Sequence, residues 1–249
     1  DFLQGFNTFL FSKESREAAL ERRHLQQLLV REPWVFGEMY NLAQQEATLT
    51  DVLRRHYDLL GKDEEVVEEV ERLDGTKGRV DLMFGAVILY PEQDKRVHLI
   101  VELKRPSRQI DGDAIDQVQS YAEAVAADSR FKLTNTDWEF YAISNDLHER
   151  VRTRSHEKGR PPGLFLSHPE KPIKIWAKTW GQIIQDCEAR LRFFKERLDY
   201  APTQQAGIAY LRKVHAEYLP AVLTAQDDSI ADGETEAADK SSEDNIQGL

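Results

Sequence analysis

One cysteine, Cys187, stands among 249 residues. That excludes an internal disulfide framework and a Cys-rich zinc site. Its place in a helical apolar pattern reads as a packed thiol rather than a nucleophile. No apolar run approaches the length of a membrane span, and no signal-peptide pattern opens the sequence. The expectation is a reducing, cytoplasmic setting with no membrane partner. Gly-rich phosphate loops of the Walker type are absent, so this segment is not expected to hydrolyse nucleotides, and no internal repeat is visible. Positive charge is also short: 33 Lys and Arg stand against 44 Asp and Glu, a formal net charge of −11. The deficit is concentrated. Residues 225–249 hold eight acids and one base, Lys240, a net −7, which leaves −4 for the first 224 residues. Net charge therefore does not exclude a polyanionic partner, because its distribution matters more than its sum.

What is present centres on Gly78–Tyr121. Gly78–Phe84 (Gly-Arg-Val-Asp-Leu-Met-Phe) and Val97–Pro106 (Val-His-Leu-Ile-Val-Glu-Leu-Lys-Arg-Pro) are short, β-branched and apolar, and bounded by turn residues, so they read as strands. In the second, Leu99, Val101 and Leu103 share one face, while His98, Ile100, Glu102 and Lys104 share the other. A carboxylate and an ammonium on an otherwise apolar strand are costly to bury unless paired or holding a metal. One explanation is a phosphodiesterase centre, in which Asp81 and Glu102 converge on one hard divalent cation. Mg²⁺ suits two carboxylates, with water and substrate phosphate completing its octahedron, and Mn²⁺ is a natural substitute. The Leu103 carbonyl would add an oxygen, and Lys104 would face the attacking water or the scissile phosphate. The alternative is that Asp81 and Glu102 merely cap turns or pair with Arg79, Lys104 or Arg105.

An Asp, then about twenty residues, then Glu-x-Lys on a strand followed by a helix resembles the PD-(D/E)XK nuclease superfamily, carried here by Asp81, Glu102 and Lys104. Val80 stands where the superfamily's name has proline, which leaves the metal ligands intact. Gln117 and Tyr121 are similar to the Gln-x-x-x-Tyr element of RecB-like nucleases. Glu32–Tyr40, read as helical, resembles the segment preceding the core in Shedu-type antiphage nucleases, whose Val-Glu-Leu-Lys-Arg-Pro-like strand and Gln…Tyr helix also look alike. The resemblance spans roughly Arg31 to Lys195. It implies an α/β, restriction-endonuclease-like α-β-β-β-α-β core, a central mixed sheet flanked by helices, with helical N-terminal and C-terminal additions. It also implies a Mg²⁺-dependent endonuclease acting on DNA, plausible in phage defence, with Gln117 and Glu38 in the catalytic set and Tyr121 against DNA. The other readings are a non-cleaving module that binds nucleic acid or a partner, a repair-type exonuclease, and an RNA-directed enzyme.

Along the chain, residues 1–30 are expected to be a helical extension, 31–200 the nuclease domain, 201–224 a C-terminal helix and 225–249 a disordered acidic tail. Asp1 in place of methionine suggests a piece of a longer protein, with an upstream regulatory or ATPase domain beyond it; a homo-oligomer is a further expectation. Ser15–Arg31 and Thr50–Leu60 carry helical spacing, Trp34–Tyr40 opens a helix or turn, and Glu65–Leu73 before Asp74-Gly75 reads as the first strand of a meander. Pro91–Lys95 is a turn, and Asp111 caps a helix to Asp128. Trp138–Asn145, Leu164–Leu166 and Ile173–Trp176 are strands, Thr179 caps a helix over 180–200, and Gly207–Leu223 is a last helix. His148–Pro162 reads as a loop whose Arg150, Arg152, Arg154, Lys158 and Arg160 either sit in solvent or grip DNA phosphates.

Overall fold

The computed structural model describes residues 1–12, 22–62, 68–88, 95–132, 135–198 and 203–219. The start of the 15–31 helix, residues 65–67, the turn at 91–94, the end of the last helix and the acidic tail lie outside the described residues.

A six-stranded mixed sheet organises the chain, in spatial order β1 (Asn41–Thr48), β2 (Arg79–Ile88), β3 (Lys95–Leu103), β5 (Thr136–Ser144), β8 (Ile173–Thr179), β7 (Leu164–Ser167). The β1–β2, β2–β3 and β7–β8 pairs are antiparallel, whereas β3–β5 and β5–β8 are parallel. A two-stranded parallel ribbon, β4 (Gln109–Ile110) with β6 (Asp146–Leu147), sits beside the end of β5. The fold is thus mixed α/β, with helices covering both faces of the sheet.

β3 lies inside the sheet, so both of its faces are dry. Its odd residues Leu99, Val101 and Leu103 join one core with α1 (Phe2–Phe11), α2 (Arg22–Arg31), α6 (Trp180–Leu198) and α7 (Gln204–His215). Ile100 joins the other, beneath α3 (Leu49–Leu59) and α4 (Gly112–Ala127). Caps fix where the covering helices start. Thr48 and Asp51 form a reciprocal capping box on α3. Asp111 Oδ1 accepts from the Ala114 amide on α4, and Thr179 exchanges hydrogen bonds with Gln182 on α6.

Three expectations are corrected. The first strand of the meander is Asn41–Thr48, before α3, while 68–78 forms no strand and only the turn at Gly75 (φ 75°) remains of the expected hairpin. β1 is a polar edge strand with a register shift between Leu42 and Gln44 and a positive φ at Glu46, so no apolar alternation marks it. Glu32–Tyr40 is not helical beyond a single 3₁₀ turn at Pro33–Val35. Within His148–Pro162, Glu149–Ser155 is a helix, α5, capped by His148 and held by buried Val151 and Ser155.

α1 and α7 touch backbone to backbone. A Cβ on Gly5 would lie 2.3 Å from the Gly207 carbonyl oxygen, and one on Gly207 would lie 2.4 Å from the Gly5 nitrogen. Neither helix can yield without leaving the core its apolar face fills. Gly5→Ala or Gly207→Ala is therefore expected to destabilise by about 1–3 kcal/mol, a Tm drop of roughly 2–4 °C per kcal/mol at this size. Thermal unfolding checks it. A raised Tm, which helix propensity alone would give, would show that the two helices part freely.

Candidate active site

β2 and β3 pair so that Leu82 faces Val101 and Met83 faces Ile100; continued one step past these partners, the register sets Asp81 opposite Glu102 on the face covered by α4. Both carboxylates are buried, at 2% and 1% exposure. Like charges directly opposed across a ladder repel, and inside a protein that repulsion is weakly screened. Three local features answer it. The Leu103 amide donates to Asp81 Oδ2 at 2.8 Å, so a side chain occupies the acceptor position just past the last Cα partners of the ladder, Leu82 and Val101. The Lys104 ammonium donates to Glu102 Oε1 at 3.1 Å and to Gln117 Oε1 at 2.8 Å. From there the bonds run on in one direction: Gln117 Nε2 donates to Tyr121 Oη at 2.7 Å, and Tyr121 Oη donates to the Arg79 carbonyl at 2.8 Å. Arg79 lies two residues before Asp81, so the chain of bonds returns to the strand on which the first carboxylate stands.

Gln117 and Tyr121 reach this network because they are four apart on α4, one turn of the same face. Tyr121 packs against Gly78, where any Cβ would lie 2.9 Å from the ring. Burial pushes the Tyr121 phenol above its usual value, so it stays a neutral hydrogen-bond donor.

The structure thus brings together Asp81, Glu102, Lys104, Gln117 and Tyr121. Leu103 contributes its amide to Asp81, and its side chain lies in the opposite core. Glu38 does not join them. It is half exposed and ion-paired to Arg190 of α6 at 3.2 Å, among residues that pack on the other face of the sheet. Among the described residues no group of three or more His, Cys, Asp and Glu gathers as a metal cage. The donor set is two facing carboxylates, which fits a hard cation that keeps water and substrate oxygens in its shell.

The five cations after β6 are dispersed. Arg152 pairs with Asp146, Arg154 lies over the Phe165 ring at 4.5 Å, and Arg160 pairs with Glu157 at 3.1 Å. Arg150 and Lys158 are exposed and have no side-chain partner among the described residues. Two further cations lie nearer the carboxylates along the chain: Arg105, weighed from sequence only as an ion-pair partner of Asp81 and Glu102, and Arg108, which sequence reasoning passed over. Both are exposed, directly after Lys104, on a turn pinned where the Ser144 hydroxyl lies 3.0 and 2.5 Å from the Arg105 and Arg108 carbonyls. Two arginines within four residues of Glu-x-Lys were the available signal.

It also passed over a buried imidazole pair on the face that carries Glu102. His56 Nδ1 and His98 Nε2 are 2.8 Å apart, wedged against Trp138. Burial, with Arg96 and Lys62 nearby, lowers His56 to about 4; burial, with His56 and Arg96, lowers His98 to about 3.

No protein-family profile matches the chain, and no curated protein matches it. Among solved structures, a repair endonuclease from Pyrococcus abyssi is similar with a TM-score of 0.33 and 14% identity. That likeness covers 64% of this chain and 47% of that one, so the chain spans about half the length of that structure. A TM-score this low carries no inference, and the functional reading stands on the site's own geometry.

The imidazole pair makes the fold acid-labile. An unfolded histidine takes up a proton near pH 6.5, whereas these folded rings resist it until about pH 4 and 3. The unfolded chain therefore binds more protons as pH falls below 6.5, and stability present above that pH is lost by up to about 1.4 kcal/mol per pH unit per ring. Urea unfolding at several pH values checks this. His56→Gln should remove about one ring's share of the slope between pH 6.5 and 4, and an unchanged slope would mean that the rings are already charged when folded.

Proposed function

We propose that this protein is a divalent-metal-dependent deoxyribonuclease that hydrolyses phosphodiester bonds internally. The observation that carries the reading is the burial of Asp81 opposite Glu102 with the Lys104 ammonium bonded to Glu102 and to Gln117. Two opposed carboxylates are a poor way to fill a core and a good way to hold a cation. Asp81 and Glu102 would hold Mg²⁺, with Mn²⁺ as a substitute. Such an ion supplies Lewis acidity at a phosphoryl oxygen and acidifies a bound water.

The chain's own groups do the rest. The Leu103 amide fixes the Asp81 carboxylate. Lys104 sits where negative charge grows on the phosphate oxygens, and its cation is aimed by Gln117, which the Tyr121–Arg79 bond anchors in turn. A preorganised donor of this kind needs no rearrangement when the charge develops. Arg105 and Arg108, on the pinned turn beyond Lys104, contact flanking phosphates, with Arg150 and Lys158 further out. The likeness of Val-Glu-Leu-Lys-Arg-Pro and the Gln-x-x-x-Tyr helix to Shedu-type nucleases supports a place in phage defence, as the cutting domain of a larger protein. The near-complete burial of both carboxylates favours one competing reading, a non-cleaving nucleic-acid-binding module on this fold.

Metal titration and cleavage of supercoiled DNA separate the two. Mg²⁺ should raise the Tm of the wild-type protein, by an amount equivalent to about 2.7 kcal/mol at a hundredfold excess over Kd. Asp81→Asn and Glu102→Gln should each abolish both that shift and cleavage. Lys104→Ala should lose roughly 10²–10³-fold in turnover while keeping the metal shift. Cleavage that survives in Glu102→Gln would remove the site assignment, and a wild-type protein blind to Mg²⁺ and Mn²⁺ would favour the binding module.

The arginine turn is tested separately. Replacing Arg105 and Arg108 with Ala should flatten the dependence of log affinity on log salt by ~0.9 per lost phosphate contact, measured in Ca²⁺ to block cutting. Parallel slopes would show that the turn does not touch DNA.

A further inference from the structure

α4 has two working flanks. Gln117 and Tyr121 face the carboxylates; about 100° or more around the same helix, Ile115 and Gln119 face a second cleft, of about 380 Å³, between α4 and α5. Its floor is apolar, made by Ile115, Val151 and Phe165. Its rim is charged on both sides. Asp116 stands on the α4 side, and Arg150 and Arg154, one turn apart, stand on the α5 side. Arg154 spreads its guanidinium over the Phe165 ring at 4.5 Å, which presents its outer face as a flat cationic platform. Neither Asp116 nor Arg150 has a side-chain partner among the described residues, whereas the neighbouring Arg152 is turned away onto Asp146.

We propose that this cleft holds one unpaired nucleotide of the substrate strand, with guanine preferred. The proposal rests on the nuclease reading only for where the nucleotide comes from. A cleft of this size lies within the range of small-ligand pockets. A flat base stacks on an arginine plane as readily as on an aromatic ring, and Arg154, backed by the buried Phe165 ring, supplies such a plane. Arg150, one turn earlier on α5, meets the attached phosphate. The choice of base follows from Asp116, because a carboxylate can only accept. The Watson–Crick edge of guanine offers two adjacent donors, N1–H and the exocyclic amine. Adenine sets a lone pair beside its amine, cytosine offers one donor, and thymine sets carbonyls on either side of its N–H. An acidic side chain at this rim therefore discriminates by repulsion as well as attraction. Placed on the helix that aims Lys104, the cleft would couple the identity of a splayed base to the position of the scissile phosphate.

The test uses the four deoxynucleoside monophosphates with inorganic phosphate as control, in EDTA, followed by methyl NMR of Ile115 and Val151 in the whole chain. The expected result is saturable shifts of both methyls, tightest with dGMP, and no such shifts with phosphate alone. Asp116→Asn should erase the preference for dGMP, a change of about tenfold, the order of one bidentate base contact. Arg150→Ala should weaken all four nucleotides alike. Both side chains are exposed, so the substitutions leave the core intact. Shifts produced equally by phosphate alone, no shifts with any nucleotide, or an unchanged base preference in Asp116→Asn would each overturn the proposal. The assay contains no metal and follows no cleavage, so an inactive nuclease with an intact nucleotide cleft would still be recognised as such.

Discussion

Two carboxylates buried on neighbouring strands, on one face of the sheet, are the constraint on which this structure turns. Asp81 and Glu102 occupy strand positions that would ordinarily carry Val or Ile, and their mutual repulsion must be met locally. Lys104 meets it from the same strand, and the Gln117–Tyr121–Arg79 chain holds Lys104 in place. Gly78 and the capped start of α4 follow from the same demand: the glycine lets the Tyr121 ring approach, and the Asp111 cap sets where Gln117 falls on the helix. A buried charge pair is weak evidence for stability. On the proposed function it is a site for a cation and a phosphate.

The rest of the fold supplies rigidity to that arrangement. β3 is central, with one ladder antiparallel and one parallel, so Glu102 cannot shift without disturbing both neighbours. The opposite face of the sheet is filled by four helices whose aromatic residues Phe6, Phe9 and Trp180 pack with Phe84 of β2 and leave little room for adjustment. The imidazole pair at His56 and His98 lies further along the face that carries Glu102. It fills space as two neutral rings against Trp138, at the expense of tolerance to acid. Among the described residues no helix is long and apolar enough to cross a membrane.

Much of this was legible in the sequence where burial imposes a period. The alternation in Val97–Lys104 placed Glu102 and Lys104 on one face and the leucines on the other, and the strand bears it out. Asp111 and Thr179 announced their helices because caps are chemical requirements local to a few residues. β1 was illegible because an edge strand with one exposed side and a bulge carries no apolar alternation. α5 was hidden by charge, since only Val151 and Ser155 of its seven residues are buried. Glu38 lies apart from the carboxylates, paired with Arg190, because a motif-like stretch fixes neither the direction of a side chain nor the face of the sheet on which it ends. Arg105 was weighed only as an ion-pair partner and Arg108 drew no attention, because the turn that Ser144 pins directly after Lys104 leaves no mark in the sequence.

The central proposal is that Asp81 and Glu102 would together hold a divalent cation, for which the Lys104 ammonium would give up its bond to Glu102. An anomalous difference map from crystals grown with Mn²⁺ tests this most directly. The account predicts a peak between the two carboxylates, with the Lys104 ammonium withdrawn from Glu102 Oε1 and still bonded to Gln117. Mn²⁺ bound elsewhere, or an intact Lys104–Glu102 bond with no density between the carboxylates at saturating metal, would contradict it.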